Sequence, residues 1–251
     1  MQRYFINTTA LRGNQISIIG QDFHHIKNVM RMKVGDQVLV CTEEEKTYLV
    51  SITTFTNTEV LLTIISEKID HVELPVDVTI AQGLVRREKM EEVIKRISEL
   101  GAYGYLPIMM ERSIVKMKEN SAQKTQRYQM IAKEASEQSH RTKIMKIMEP
   151  ISFTKLLNLI DEQDLCFVAY EEQGRAKDRS LKQNLVEFKG KSILVIIGPE
   201  GGFSPSEIKQ LQKTKAKFIG LGPRILRTET APLYIMSVIS YQYELGEINE
   251  N

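Results

Sequence analysis

Over the first seventy residues, apolar side chains recur in short β-branched or aromatic runs at 4–6, 15–19, 37–41, 47–52 and 60–64. Such runs, separated by polar and glycine-containing stretches, predict strands. One short helix near 22–31 interrupts them. Closely spaced strands with so little helix predict a small β-barrel. Glu73-Leu74-Pro75 is the expected boundary, giving a first domain over 1–72 and a second over 73–251.

From Val76 onward the pattern alternates between strands and helices. Strands are expected at 78–85, 105–110, 165–169, 193–197 and 218–221. A helix is expected over 87–100, where Met90, Val93, Ile94, Ile97 and Leu100 share one face and Gly101 supplies a stop. Further helices are expected at 122–139 and 153–160, and after Ser204. There Ser204 can cap, Pro205 takes the first helical position and Glu207 completes a capping box. The last helix, 231–245, is apolar nearly all round, more than one buried face requires. The succession predicts an α/β domain with a largely parallel sheet.

Two of these strands run into loops of unusual composition. One reads Ile197-Gly198-Pro199-Glu200-Gly201-Gly202-Phe203-Ser204, the other Leu221-Gly222-Pro223-Arg224-Ile225-Leu226-Arg227-Thr228-Glu229-Thr230-Ala231. Glycine and proline stand where a chain must turn sharply or let another molecule approach its backbone. Loops at the ends of neighbouring strands form the binding crevices of open α/β sheets. The first loop lacks the Gly-Lys-Ser/Thr ending of a P-loop and the spacing of a dinucleotide fingerprint, which disfavours a nucleoside triphosphatase or a nicotinamide dehydrogenase.

Composition narrows the class further. A hydrophobic content of 42% and a charged content of 26% describe an ordinary globular protein, and no apolar run approaches the length of a membrane span. The N-terminus has no long apolar core of the kind a signal peptide carries. Two cysteines, Cys41 and Cys166, and four histidines form no metal-ligand spacing, so no metal site is expected. The formal charge is only +2, yet residues 112–146 carry nine Lys or Arg against three Glu. A basic stretch of this kind suggests a surface for phosphates.

The two loops together resemble the RsmE family of ribosomal RNA methyltransferases, in the SPOUT superfamily. The resemblance extends to Glu99-Leu100-Gly101, Glu111-Arg112-Ser113 and Glu134-Ala135-Ser136-Glu137-Gln138-Ser139-His140-Arg141, and near the N-terminus to His24-His25-Ile26 and Val29-Met30-Arg31. It thus covers nearly the whole chain. It implies a PUA-like barrel followed by a SPOUT domain whose C-terminal chain is tucked into a deep trefoil knot. It also implies a homodimer through the last helix and S-adenosylmethionine as cofactor. The expected cofactor-binding residues are Val168, Tyr170, Ile197, Gly198, Pro199, Glu200, Gly201, Gly202, Leu221, Gly222, Ile225, Leu226, Thr228 and Ala231. The implied substrate is 16S rRNA within the small ribosomal subunit, in the cytoplasm.

The implied reaction is methylation of a uridine at N3. That nitrogen is protonated at neutral pH, so its proton must find an acceptor or the resulting anion must be stabilised. Glu229, the only carboxylate in the second loop, is the candidate acceptor. Arg227 is the candidate donor to the uracil oxygens or to a phosphate, and Arg141 is expected to help hold the RNA. Arg3, His24, Arg31 and Arg112 are further candidates for RNA contact. N3 lies on the Watson–Crick edge, so the base must be unpaired or flipped out. Two other readings stay open: a SPOUT enzyme acting on another rRNA or tRNA site, and a non-catalytic RNA-binding assembly factor. The modified nucleoside separates the first from the leading reading, and failure to bind S-adenosylmethionine would select the second.

Overall fold

The computed structural model describes residues 1–115, 121–171 and 180–246. Its chain divides into two compact units, Met1–Glu73 with Ser136–Ile144, and Leu74–Ala135 with Met145–Asn251. Lys116 and Lys118 of the basic stretch lie outside the described residues.

The first unit holds six strands: β1 (Arg3–Ile6), β2 (Leu11–Arg12), β3 (Gln15–Ile19), β4 (Gln37–Thr42), β5 (Thr47–Phe55) and β6 (Glu59–Lys68). They form one sheet in the order β1-β4-β5-β6-β3-β2. Only β1 and β4 run parallel. Period-two alternation turns Tyr4, Ile16, Ile18, Val38, Val40, Val50, Ile52, Val60 and Leu62 to one face, where they pack with Ile26. Ile26 comes from a π-helix, His25–Val29, that continues α1 (Gly20–His24). The two-residue β2 is too short to leave a periodic signal in the sequence.

Residues 136–144 belong to this first unit, not to the second as the boundary at 72/73 implied. An ion pair explains the assignment. Arg141 is 3% exposed and its guanidinium donates to the Glu73 carboxylate at 2.6 Å, while Glu73 also accepts the backbone N–H groups of Thr142 at 2.8 Å and Lys143 at 3.1 Å. Arg3, equally buried, donates to the Arg141 carbonyl at 2.9 Å and pairs with Asp70 at 2.6 Å. Arg3 and Arg141 therefore do not present their guanidinium groups to RNA as expected; internal carboxylates occupy them. Nor is 112–146 one basic surface, since Arg127 is also taken, by Glu91 at 2.8 Å, and Lys143 by Glu45 at 3.1 Å.

The second unit is built on a seven-stranded parallel sheet. Its strands are β7 (Asp77–Gly83), β8 (Gly104–Met109), β9 (Lys146–Ile147), β10 (Ile151–Ser152), β11 (Leu165–Ala169), β12 (Ser192–Ile197) and β13 (Lys217–Ile219). The order is β10-β8-β7-β12-β11-β13, with β9 also on β8. The central strands are buried on both faces, as continuous runs such as Ile193 to Ile197 require. Among the described residues the helices are α2 (Arg87–Glu99), α3 (Ser121–Gln138), α4 (Phe153–Ile160), α5 (Ser180–Glu187), α6 (Pro205–Leu211) and α7 (Ala231–Ser240), the last running on as a π-helix, Tyr241–Leu245. Met90, Val93, Ile94 and Ile97 form the buried stripe of α2.

Two helix ends matter for the loops they hold. Gly101, at φ +85°, closes α2, with Ala102 N–H donating to the Ile97 carbonyl at 2.9 Å and Gly101 N–H to Ser98 at 3.1 Å. That pairing is a Schellman motif. At α6 the capping box forms: the Ser204 N–H donates to Glu207 at 2.8 Å, and the Glu207 N–H returns to the Ser204 hydroxyl at 3.2 Å. The other oxygen of Glu207 accepts the Glu111 N–H at 2.9 Å, so the cap also ties down the chain after β8.

Burial alone would raise the Glu73 carboxyl, but the Arg141 guanidinium and the two N–H groups outweigh it and hold it below the ordinary range. Its contribution to stability is therefore present at neutral pH and lost as pH falls through that lowered value. Arg141→Ala is expected to destabilise the first unit by about 3 kcal/mol, the scale for breaking a buried ion pair. Glu73→Gln should flatten the acid limb of its stability curve. Urea unfolding followed by amide exchange across β1 and β4 between pH 3 and about 7 reads both effects.

Candidate active site

A cavity of about 660 Å³ opens at the carboxyl ends of β11, β12 and β13. Parallel strands end there with backbone groups that no ladder satisfies, and the loops that follow must supply the partners. Three segments line the cavity: Ala169 to Glu171 after β11, Ile197 to Phe203 after β12, and the chain from Leu221 to Ala231 before α7.

Thirteen of the fourteen expected cofactor residues line it: Tyr170, Ile197, Gly198, Pro199, Glu200, Gly201, Gly202, Leu221, Gly222, Ile225, Leu226, Thr228 and Ala231. Val168 does not. It is fully buried and points into the sheet–helix core with Leu194, Ile196 and Leu156, one pleat away from the lining Ala169. The alternation of a strand decides between the two.

Backbone geometry explains the glycines. Gly202 and Gly222 adopt φ of +67° and +91°, a region that other L-residues occupy with strain. The Gly202 N–H donates back to the Pro199 carbonyl at 2.9 Å, which curls the first loop. In the second loop the Arg227 carbonyl accepts from Thr230 at 2.9 Å and from Ala231 at 3.0 Å, so a tight turn starts α7.

One buried contact joins the loops. The Thr228 hydroxyl donates to the Gly198 carbonyl at 2.7 Å. From below, the Gln82 amide on β7 donates to the Thr228 carbonyl at 2.6 Å and to its hydroxyl oxygen at 2.9 Å.

The charged groups divide into an inner set and an outer set. Lys89 on α2 lies 3.2 Å from Glu229 and 3.5 Å from Glu200, so one ammonium bridges the two loops. The second oxygen of Glu200, Oε2, is buried without a hydrogen-bond partner. Burial pushes the Glu229 carboxyl up, but its own backbone N–H, Lys89 and Arg227 together bring it below the ordinary value. Glu229 is therefore ionised at neutral pH. Outside this set, Arg112, Arg224 and Arg227 are exposed at the cavity wall. Arg112 donates to the Gly201 carbonyl at 3.2 Å, and Arg227 stands 3.9 Å from Glu229.

Lys89 and Phe203 line the cavity without having been expected there. Lys89 sits in the charged run Arg86-Arg87-Glu88-Lys89, where nothing in the spacing distinguishes a site residue from a solvated one. In the first unit, His24 and Arg31 are exposed, with His24 Nδ1 2.8 Å from the Asn28 amide and Arg31 at φ +52°.

The chain is similar to known proteins along nearly its whole length. A family described as RNA methyltransferase domain matches residues 72–240, and one described as RNA methyltransferase PUA domain matches 18–65. Ribosomal RNA small subunit methyltransferase E of Bacillus subtilis is 41% identical over 251 residues, covering 98% of each chain. Among solved structures, a Legionella pneumophila protein in complex with the cofactor SAM superposes with a TM-score of 0.83 at 27% identity, covering 95% of this chain and 96% of that one. Ribosomal RNA small subunit methyltransferase E from Neisseria gonorrhoeae, bound to S-adenosyl methionine, has the same fold, with a TM-score of 0.85 at 23% identity and coverage of 97% and 98%. With two glycine-bearing loops joined over one cavity, and with likeness along nearly its whole length, the chain belongs to the ribosomal RNA small subunit methyltransferase E family.

Proposed function

We propose that this protein transfers a methyl group from S-adenosylmethionine to N3 of a uridine in the 16S rRNA of the small ribosomal subunit. The observation that carries the reading is the presence, in one cavity, of two backbone-rich loops and an ionised carboxylate, Glu229. A volume of about 660 Å³ suits a ligand of that size. Apolar Leu221, Ile225 and Leu226 with the backbone groups of Gly198 and Gly222 suit a nucleoside, and the unpartnered Glu200 Oε2 is an acceptor free for a ligand's N–H. Bound there, S-adenosylmethionine supplies a methyl group on a sulfonium, whose thioether is a good leaving group.

The chain's own residues then have distinct tasks. The loops orient the acceptor nitrogen, which alone lowers a barrier by several kcal/mol. As the N–CH3 bond forms, the N3 proton becomes strongly acidic and passes to the Glu229 carboxylate. The forming bond acidifies that proton as it moves, so its transfer to a weakly basic carboxylate runs in concert with methylation. Arg227, 83% exposed, is free to face uracil oxygens or a phosphate, and Arg112 and Arg224 extend that positive rim. Exposed His24 and Arg31 serve RNA contact from the first unit.

Two structural features extend the reading. After β13, at one edge of the sheet, the chain returns past β11 and β12 to reach Gln82 on β7. That course supports a trefoil knot. On the last helix, Tyr234, Tyr241 and Leu245 are exposed while Ile235, Met236 and Ile239 are buried, which supports a second copy packed on the outer face. Among the described residues no helix is long and apolar enough to cross a membrane, and a ribosomal substrate calls for a cytoplasmic protein.

Purified protein with labelled S-adenosylmethionine and unmodified small subunits should yield 3-methyluridine, identified by mass spectrometry; label in another nucleoside would overturn the target. Glu229→Gln is expected to slow turnover by about 100-fold or more, in the range of a lost general base, with cofactor affinity nearly intact. Lys89→Met removes one of the groups that lower the Glu229 carboxyl, so the acid limb of the kcat/KM profile should move to higher pH. An unmoved limb would separate Lys89 from proton transfer. Leu245→Asp should give a monomer in sedimentation velocity.

A further inference from the structure

We propose that Gln82 and Tyr105, neither of which lines the cavity, are positioning residues that set the spacing and orientation of the two cofactor loops. The inference rests on the reading of the cavity as the cofactor site, and it goes beyond that reading to two residues in the middle of the sheet.

Both side chains are fully buried, on adjacent parallel strands. The Tyr105 hydroxyl donates to Gln82 Oε1 at 2.8 Å. Burial pushes that hydroxyl far above the ordinary tyrosine value, so it keeps its proton. With its oxygen so occupied, the Gln82 amide has a single orientation, its NH2 facing the second loop. That NH2 has two protons and meets two acceptors, the Thr228 carbonyl at 2.6 Å and the Thr228 hydroxyl oxygen at 2.9 Å. Because its oxygen is thereby an acceptor, the Thr228 hydroxyl turns its own proton to the Gly198 carbonyl at 2.7 Å. Every proton in the chain from Tyr105 to Gly198 thus has one direction.

Gln82 sits in the sheet opposite Pro107 on β8 and Ile197 on β12, the last residue before Gly198. A rigid strand therefore holds the donor, the donor holds Thr228, and Thr228 holds the first loop at Gly198. A glutamine serves here where an apolar residue would suit a doubly buried strand, and the loop segment it holds carries Arg227 and Glu229 on either side of Thr228. A purely structural polar residue would be satisfied within its own sheet; this one spends both protons on the loop.

The test uses the full-length protein and the variants Gln82→Met, Gln82→Glu, Tyr105→Phe, Thr228→Ser and Thr228→Val. Thermal unfolding checks folding, calorimetry gives the S-adenosylmethionine dissociation constant, and methyl transfer to small subunits gives kcat and KM. Gln82→Met should weaken cofactor binding by about 10- to 100-fold, the scale of a buried hydrogen-bonding group left without its partner. Gln82→Glu should be at least as severe, since a carboxylate facing the Thr228 carbonyl has no proton to give. Tyr105→Phe frees the amide to flip and should show a smaller loss of the same kind, with the KM for the subunit unmoved. Thr228→Ser should lose less than Thr228→Val.

Folded Gln82→Met or Tyr105→Phe protein with unaltered affinity and turnover would overturn the inference, as would equal losses in the two Thr228 variants. If Gln82→Met fails to fold, Tyr105→Phe and the Thr228 pair decide. Cofactor affinity and total methyl transfer are read whatever nucleoside is modified. A wrong target in the unaltered protein therefore sinks the uridine-N3 reading without touching this one.

Discussion

Thr228 donates its hydroxyl to the Gly198 carbonyl, and the architecture of the cavity depends on that contact. After β13 the chain stands at the edge of the sheet, yet Thr228, just before α7, meets Gln82 on β7, beyond β11 and β12 in the strand order. The returning segment has no strand to pair with, so its buried polar groups need individual partners. Gln82 and Gly198 supply them at the one point where the segment is buried. Fixing Thr228 there turns Leu226, Arg227 and Glu229 into a surface facing the first loop. The cavity is what remains between two loops held by a single buried joint.

Charge follows the same logic of partners. Lys89 faces two carboxylates, one from each loop, and with a backbone N–H and Arg227 it offsets the partial burial of Glu229. Arg112, Arg224 and Arg227 stay exposed at the cavity wall, where a phosphate can reach them. Arg3 and Arg141 have the same side chain and the opposite fate. Asp70 and Glu73 lie within reach inside the first unit, and a guanidinium desolvated beside a carboxylate is held there. An arginine is thus open to a ligand only where no internal acid claims it.

Local rules carried far along this chain. The capping residues Ser204, Pro205 and Glu207, the stop at Gly101, the helix at 153–160 and the strand at 165–169 were all legible, because each depends on neighbours within a few residues. The glycine-rich loops were legible too, since positive φ and close backbone approach restrict the residue type wherever they occur. The two-residue strands β2, β9 and β10 and the helix α5 were not read, because they are too short or too polar to mark a period.

What the sequence by itself determined is the inventory: an α/β order of elements, two loops built to approach a ligand, a carboxylate in the second loop, and the family that carries this combination. Only the tertiary structure decided which side chains meet. It turned Val168 into the core and Ala169 towards the cavity, buried Arg141 against Glu73, brought Lys89 between Glu200 and Glu229, and set Gln82 beneath Thr228. Gln82 and Thr228 are separated by 146 positions. No local propensity encodes such a contact; it exists because a parallel sheet brings distant strand ends together and buried polar groups must find partners where they land.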